Sequence, residues 1–277
     1  PEQISILPDL SAGCSMADMA NLAKVERSRR ELSKVLDFDE KITPVTYINS
    51  AADLKAFCGE HGGIVCTSTN APKILEWAFQ QKEKVLFFPD QNLGRWSGYK
   101  MGIPLEQMPV WDPDQPMGGL TEEQIKNAKI LLWKGHCAVH QMFREQNITK
   151  FRAEHPEGFV ISHPESPFEV CLNSDYVGST EYILKTVSDA PAGTHWLVGT
   201  ELNLVNRLAE QMKPHGKTVQ FMSHVVCECS TMARIDPQHL AWTLENLAEG
   251  KVVNQIKVPA HEAALAKLTL DRMLAVS

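Results

Sequence analysis

The sequence of 277 residues contains no hydrophobic run that approaches the ~20 residues needed for a membrane span. It also has no excess of basic residues, because 27 lysines and arginines stand against 34 aspartates and glutamates, for a net charge of −7. A nucleic-acid-binding face would require clustered basic side chains. We therefore expect a soluble cytoplasmic protein with neither a nucleic-acid partner nor a membrane partner.

Paired cysteines of the C-x2-C type, which are typical of zinc knuckles, are absent from the seven cysteines of the chain. The two closest cysteines are Cys227 and Cys229, with one residue between them. An odd number of unevenly spaced thiols does not predict a secreted disulfide framework. We expect reduced thiols that serve either as metal ligands or as small buried side chains.

Short apolar runs rich in β-branched residues alternate with helical patterns along most of the chain. Such alternation predicts an α/β fold in which parallel sheets are covered by helices, with the functional loops at the carboxyl ends of the strands. We expect an irregular surface loop at 111–119, which is rich in Pro, Asp and Gly. Strands are predicted at 4–7, 43–49, 63–66, 84–88 and 130–133. Further strands are expected within the corresponding segments 159–165, 175–184 and 195–201, and from 219 onward.

The last third of the chain repeats the order of strands and polar motifs found in the middle third. A period near one hundred residues indicates duplicated domains, since solenoid repeats are much shorter. We predict homologous αβα domains with short parallel sheets around a pseudo-threefold axis. The predicted boundaries are 1–42 for the remnant of a first domain, 43–157 for the second domain, and 158–277 for the third domain with its C-terminal helices.

Three strand-like runs each end in a loop that carries a cysteine: Cys14, Cys137, and either Cys227 or Cys229. Thiolates from three separate loops could hold a zinc ion or a [4Fe-4S] cluster, and widely separated single cysteines suit a cluster better. With three thiolate ligands, one iron stays open to a substrate oxygen. The alternative is that these thiols are buried small side chains, which is the expectation for those inside apolar patterns: Cys58, Cys66 and Cys171.

Two pairs of polar residues lie at predicted strand ends, with one residue between the members of each pair, so that both side chains face the same side. His163 and Glu165 can share proton transfer near neutral pH, and Tyr47 and Asn49 can bind carboxylates or oxyanions. The alternative for each pair is turn chemistry.

Ser68 and the pair Ser179 and Thr180 follow small residues at predicted strand-to-helix turns. Hydroxyls and free backbone N–H groups at such a turn can bind phosphate, although simple helix capping explains them equally well. His136 and His140 flank Cys137. We expect each to be either a neutral side chain behind a metal ligand or a solvent-facing side chain, and not to ligate a metal itself.

Taken in order, these motifs closely resemble those of the quinolinate synthase family over almost the whole chain. The segments that carry the resemblance are Cys14, YIN (47–49), CTSTNA (66–71), PDQNLG (89–94), GHCAVH (135–140), HPE (163–165), GST (178–180) and CSTM (229–232).

The resemblance implies three α/β domains around a pseudo-threefold axis and a [4Fe-4S] cluster held by Cys14, Cys137 and Cys229. It favours Cys229 over Cys227 because of the following Met232. The family contains most of a first domain before the Cys14 motif, with a histidine, a tyrosine and a serine in the site. We therefore expect the chain to be incomplete at its amino terminus.

The implied reaction is the condensation of iminoaspartate with dihydroxyacetone phosphate to quinolinate, with release of phosphate and water, in NAD biosynthesis. L-aspartate oxidase is the implied candidate supplier of iminoaspartate. His163 and Glu165 would carry out acid–base steps, and Tyr47 would join them as a catalytic and binding residue. The remaining implied substrate-binding residues are Asn49, Ser68, Ser179 and Thr180. The alternative function is a non-enzymatic iron–sulfur or zinc protein, such as a sensor or scaffold.

Overall fold

The computed structural model describes residues 3–225 and 228–276. Within these residues the chain forms two sheets, and every pairing between named strands is parallel. The predicted α/β class with short parallel sheets is thus confirmed. The strands are β1 (Ile42–Tyr47), β2 (Ile64–Cys66), β3 (Lys84–Phe88), β4 (Val110–Trp111), β5 (Ile130–Trp133), β6 (Phe159–Ser162), β7 (Tyr176–Val177), β8 (His195–Gly199) and β9 (Thr218–Phe221).

Helices occupy most of the connections between the strands, and among the described residues none is long and apolar enough to cross a membrane. Short 3-10 turns lie at 105–107, 116–119, 140–142 and 213–215. The α-helices are α1 (Ser15–Asp18), α2 (Leu22–Leu32), α3 (Phe38–Lys41), α4 (Ala52–Glu60), α5 (Ala71–Gln81), α6 (Gln91–Lys100), α7 (Glu122–Asn127), α8 (Glu145–Glu154), α9 (Phe168–Asn173), α10 (Thr180–Asp189), α11 (Leu202–Met212), α12 (Pro237–Ala248) and α13 (Ala260–Val276).

The internal repeat predicted from the sequence is visible in the strand order of the two sheets. The first sheet has the order β2-β1-β3-β5-β4, and the second has the order β7-β6-β8-β9. When β4 is left out, the four strands of each sheet lie in the same order, which is second, first, third and fourth along the chain. The four strands of the second sheet therefore correspond to β1, β2, β3 and β5 of the first.

The extra strand β4 shows that the predicted surface loop at 111–119 is wrong at its start. Trp111 pairs with Trp133 in β5 and is fully buried. Its indole N–H donates to the hydroxyl of Ser28 at 2.8 Å, which satisfies the one polar atom of a large buried side chain. Local composition predicted a loop, whereas tertiary burial of the tryptophan produces a short edge strand.

Both faces of the first sheet are buried, as expected for a parallel sheet between helices. Alternate residues of β3 divide between two hydrophobic clusters: Val85 and Phe87 belong to one cluster, and Leu86 and Phe88 belong to the other. Because side chains alternate between faces along a strand, the two clusters lie on opposite sides of the sheet.

The segment before β1 contains short helices and only one trace of the strand predicted at 4–7. Ile6 forms a single antiparallel bridge with Gln255, so that prediction is wrong in extent. Pro8 follows closely and cannot donate a backbone hydrogen bond to extend a ladder.

The last helix, α13, returns to the first sheet and packs against α4. Thr269 on α13 donates to the backbone carbonyl of Lys55, and the Arg272 guanidinium donates to the carbonyl of Gly63 at 2.8 Å. The domain boundaries stay a prediction, and this packing joins the end of the predicted third domain to the predicted second domain. On α12, by contrast, Leu240 and Leu244 are exposed.

Candidate active site

The loops at the carboxyl ends of strands from both sheets meet at one cavity of about 410 Å³. Parallel strands place their carboxyl ends at one edge of a sheet, which is why loops distant in sequence converge here. The residues singled out from the sequence that line this cavity are Cys14, Tyr47, Asn49, Cys137, His163, Glu165, Thr180 and Cys229.

The three cavity thiols differ from the core thiols in exposure. Cys14, Cys137 and Cys229 are partly exposed. Burial raises the pKa of the Cys14 thiol, and the nearby Cys137 contributes to the increase. The prediction of buried core thiols is confirmed for the remaining three that are described, which are at most 1% exposed: Cys58, Cys66 and Cys171.

The choice between Cys227 and Cys229 rests on the sequence, because Cys227 lies outside the described residues. Cys229 lines the cavity, and its sulfur lies 3.3 Å from the hydroxyl of Thr231. Met232, which follows the same motif, also lines the cavity.

The loop that carries Cys137 is held against the loop that follows β3. The backbone N–H of Gln91 donates to the carbonyl of Gly135 at 2.9 Å. A Cβ atom at Gly135 would lie only 2.2 Å from the carbonyl oxygen of Pro89. Glycine is therefore required at this close approach of two backbones, and the contact determines where Cys137 lies.

Glu165 and His140 form a buried ion pair. Their side chains are 6% and 8% exposed, and Nδ1 of His140 lies 3.2 Å from Oε2 of Glu165. Burial alone would lower the pKa of His140, but the adjacent Cys137 thiol and the Glu165 carboxylate raise it above its ordinary value. The solvent-facing role expected for His140 is thus wrong, because a long-range contact with Glu165 places the imidazole in a buried position.

The Glu165 carboxyl is ionised despite its burial. Burial acts to raise its pKa, and the neighbouring His163 and His140 hold the pKa well below its ordinary value. Burial lowers the pKa of His163 itself to about 4. His163 is therefore uncharged near neutral pH, and His140 carries the positive charge that balances Glu165.

The tautomer of His163 follows from its hydrogen bonding. The backbone N–H of Glu165 donates to Nδ1 of His163 at 3.3 Å. A neutral imidazole that accepts at Nδ1 carries its proton on Nε2. His163 lines the cavity and is thus a hydrogen-bond donor, while Glu165 is the proton acceptor of this pair.

Tyr47 ends β1 beneath the cavity and is only 4% exposed. Burial raises the pKa of its phenol, and the charge of Glu165 raises it further. Ser68, another polar side chain that acts on the phenol, lowers the pKa. Tyr47 therefore stays protonated and can act as a neutral donor, whereas Asn49 lies exposed at the same cavity.

Sequence reasoning did not identify Asp90 and Asn92 as parts of the site, although their segment carried the family resemblance. Asp90 is fully buried, and burial followed by the charge of Glu165 raises its pKa well above its ordinary value. Its Oδ1 accepts from the N–H of Leu93 at 2.7 Å at the start of α6. Asn92 donates from Nδ2 to the backbone carbonyl of Glu165 at 3.0 Å, which ties the first sheet to the turn that carries Glu165.

Ser68 and Ser179 lie in an adjoining cavity of about 380 Å³ between the two sheets. The hydroxyl of Ser179 caps α10 by accepting from the N–H of Tyr182 at 3.4 Å, so the capping alternative describes its contact in the structure. Thr180, the next residue, lines the main cavity. The three hydroxyl-bearing residues singled out from the sequence thus line two neighbouring cavities. Ser68 and Ser179 line one, and Thr180 lines the other.

The chemistry of the donor set fits a metal group. The ligand atoms of Cys137, His140 and Glu165 lie within 4.8 Å of one another. Two further thiols, Cys14 and Cys229, face the same cavity. Thiolates from separate loops are the ligands that iron–sulfur clusters use, and a mixed Cys/His/Glu set could hold a single ion.

Comparison with known proteins assigns the chain to a family. The family described as "Quinolinate synthetase A protein" matches residues 1–275. Quinolinate synthase of Rhodopirellula baltica is 55% identical over 272 residues, which cover 98% of this chain and 69% of that protein. Quinolinate synthases of Corynebacterium glutamicum and Herpetosiphon aurantiacus are 53% and 52% identical, over 99% and 100% of this chain and 69% and 74% of theirs. With a family match over almost its whole length and relatives more than 50% identical, the chain belongs to the quinolinate synthetase A family.

Proposed function

We propose that this protein is a quinolinate synthase, an enzyme of NAD biosynthesis that condenses iminoaspartate with dihydroxyacetone phosphate and releases phosphate and water. The observation that carries the proposal is the meeting of three cysteine loops with Tyr47, His163 and Glu165 at one cavity. The cavity therefore contains thiols that can bind a metal, together with a proton acceptor, Glu165, and two proton donors, His163 and Tyr47. The alternative of a non-enzymatic metal sensor is not favoured, because relatives matched over nearly the full chain carry the name of an enzyme.

We assign Cys14, Cys137 and Cys229 as ligands of a [4Fe-4S] cluster. Their position around one cavity and their partial exposure support the assignment. When bound through three thiolates, such a cluster supplies an open iron that acts as a Lewis acid toward a substrate oxygen.

Formation of an aromatic ring from two small substrates requires removal of protons from carbon and protonation of departing hydroxyl groups. Glu165 is ionised and buried, so it serves as the base for carbon-bound protons. His163, uncharged and protonated at Nε2, donates to a departing or developing oxygen anion. Tyr47 stays protonated and supplies a second donor beside Glu165.

The substrate-binding residues provide polar groups without charge. Asn49 offers an amide to a carboxylate, and Thr180 offers a hydroxyl in the same cavity. Ser68 and Ser179 offer hydroxyls to phosphate or carboxylate oxygens from the adjoining cavity. We also propose L-aspartate oxidase as the supplier of iminoaspartate and the cytoplasm, where thiols stay reduced, as the location.

The Glu165→Gln variant tests the acid–base assignment. The amide keeps the size of the side chain but cannot accept a proton from carbon. We expect anaerobically purified Glu165→Gln to retain the iron content of the wild type and to lose quinolinate formation, measured chromatographically. Full turnover would remove Glu165 from the mechanism, and failure of the wild-type protein to form quinolinate would overturn the proposed function.

A further inference from the structure

A groove leads from the outer surface between the two sheets toward the candidate active site. It consists of the cavity that contains Ser68 and Ser179 and an outer cavity of about 400 Å³. Four residues line both cavities, so the two spaces adjoin. We call this combined space the inter-sheet groove, and its shared residues are Trp96, Lys100, Val177 and Tyr182.

The inner end of the inter-sheet groove backs onto the main cavity. Pro164 lines the groove, while its neighbours His163 and Glu165 line the main cavity. Ser68 lines the groove and interacts with the Tyr47 phenol, which lines the main cavity. A group bound at the inner end of the groove therefore contacts Pro164, whose two sequence neighbours are the acid–base residues of the main cavity.

The charge of the groove is concentrated in one side chain. Among the described residues that line either cavity, Lys100 is the only lysine or arginine. Its ammonium lies 5.9 Å from the centre of the Trp96 ring. The one acidic residue of the described lining, Asp175, lies 2.9 Å from Arg152 and is thus already paired.

Lys100 lines the same inner cavity as several hydroxyl side chains, which include Ser68 and Ser179. Serine hydroxyls can donate to phosphate oxygens, and a lysine provides a mobile point charge for a phosphate. The protein as a whole has a net charge of −7, which repels a phosphate dianion. The Lys100 ammonium attracts a phosphate at the groove and so opposes that repulsion locally.

We propose that the inter-sheet groove is the binding and entry site for a phosphate monoester, with Lys100 attracting the phosphate and Ser68 and Ser179 receiving it at the inner end. The inference deepens the proposed function and rests on it, because dihydroxyacetone phosphate is the phosphate-bearing substrate of that reaction. It assigns to Lys100 and Trp96 a contribution to substrate binding that is separate from proton transfer.

The kinetic test compares Lys100→Gln with Lys100→Arg and with the control Lys126→Gln. Lys126 is an exposed lysine on α7, and no described residue of α7 lines the groove. We expect Lys100→Gln to raise KM for dihydroxyacetone phosphate about three- to fivefold, the effect of one partly exposed charge pair. The kcat stays within about twofold, and Lys100→Arg and Lys126→Gln match the wild type.

Salt provides a readout that a purely structural change would not alter. Between about 0.01 M and 1 M salt the screening length falls from about 30 Å to about 3 Å. The difference in KM between the wild type and Lys100→Gln should therefore shrink as salt increases. An unchanged KM for dihydroxyacetone phosphate, a loss confined to kcat, or an equal rise in KM for iminoaspartate overturns the phosphate assignment.

Binding of inorganic phosphate to the cluster-containing protein, measured by calorimetry, separates this inference from the proposed function. Weaker phosphate binding by Lys100→Gln, with normal binding by Lys126→Gln, supports the groove even if no quinolinate forms. Equal phosphate affinity in the wild type and Lys100→Gln, or no phosphate binding at all, overturns the groove even if quinolinate does form.

Discussion

Replacement of Gly135 by alanine should displace the loop that carries Cys137. The added Cβ would lie 2.2 Å from the Pro89 carbonyl oxygen and 3.4 Å from Cβ of Met19. The first contact is with backbone and cannot be relieved by rotating a side chain. The two loops must therefore separate by at least about 1.2 Å, from 2.2 Å to the 3.4 Å at which ordinary van der Waals contact begins.

The cost of this separation has two parts. Overpacking that forces a backbone shift costs about 1–3 kcal/mol. Loss of the hydrogen bond from the Gln91 N–H to the Gly135 carbonyl adds about 1 kcal/mol. A total of about 3 kcal/mol corresponds to a fall in Tm of roughly 6–12 °C for a chain of this size.

Gly13→Ala is the matched control, because Gly13 immediately precedes Cys14 in another cysteine loop. Its added Cβ would contact only Oδ2 of Asp18, at 4.0 Å. Thermal unfolding and iron analysis of the anaerobically purified proteins should show a lower Tm and reduced iron content for Gly135→Ala, with both values unchanged for Gly13→Ala. A Gly135→Ala protein with wild-type Tm and full iron content would refute this reasoning.

The remaining predictions concern one buried amide and one core thiol. Asn92→Ala should lower kcat for quinolinate formation at least about tenfold, because the Glu165 carbonyl loses its donor at 3.0 Å and the carboxylate is no longer held in place. Asn173→Ala is the control, since Asn173 makes a similar side-chain-to-carbonyl bond on the exposed surface, and equal kcat values for the two variants would contradict the prediction. Cys58→Ala should lose about 1 kcal/mol of unfolding free energy with iron content unchanged, because Cys58 is fully buried in α4. Loss of iron in Cys58→Ala, measured by elemental analysis, would contradict its assignment to the core.

The sequence predicted most strands closely where apolar runs were bounded by clear turn residues. The runs predicted at 84–88 and 130–133 are the strands β3 and β5. Hydrophobic periodicity and turn chemistry are local properties, so they can be read without the fold. The repeat predicted from the sequence is also present in the structure, because the four corresponding strands have the same order in both sheets.

Features that depend on distant contacts could not be predicted in this way. His140 is a buried cation because the Cys137 thiol beside it and Glu165, which follows β6 and lies 3.2 Å away, both raise its pKa. Asp90 and Asn92 looked like ordinary turn residues, and their importance follows from burial and from the bond between Asn92 and Glu165. Trp111 lies in the edge strand β4, where its side chain is buried and its indole N–H donates to the Ser28 hydroxyl, a contact that local composition does not show.

The most direct test of the central claim is the count of iron and acid-labile sulfide per chain in anaerobically purified wild-type and cysteine-to-serine variants. We predict about four of each in the wild type, as in a [4Fe-4S] cluster, and loss of the cluster in Cys14→Ser, Cys137→Ser and Cys229→Ser. Cys58→Ser keeps the cluster, since Cys58 is buried in α4 away from the cavity lining. Zinc in place of iron, or a full cluster in Cys229→Ser, would contradict the account.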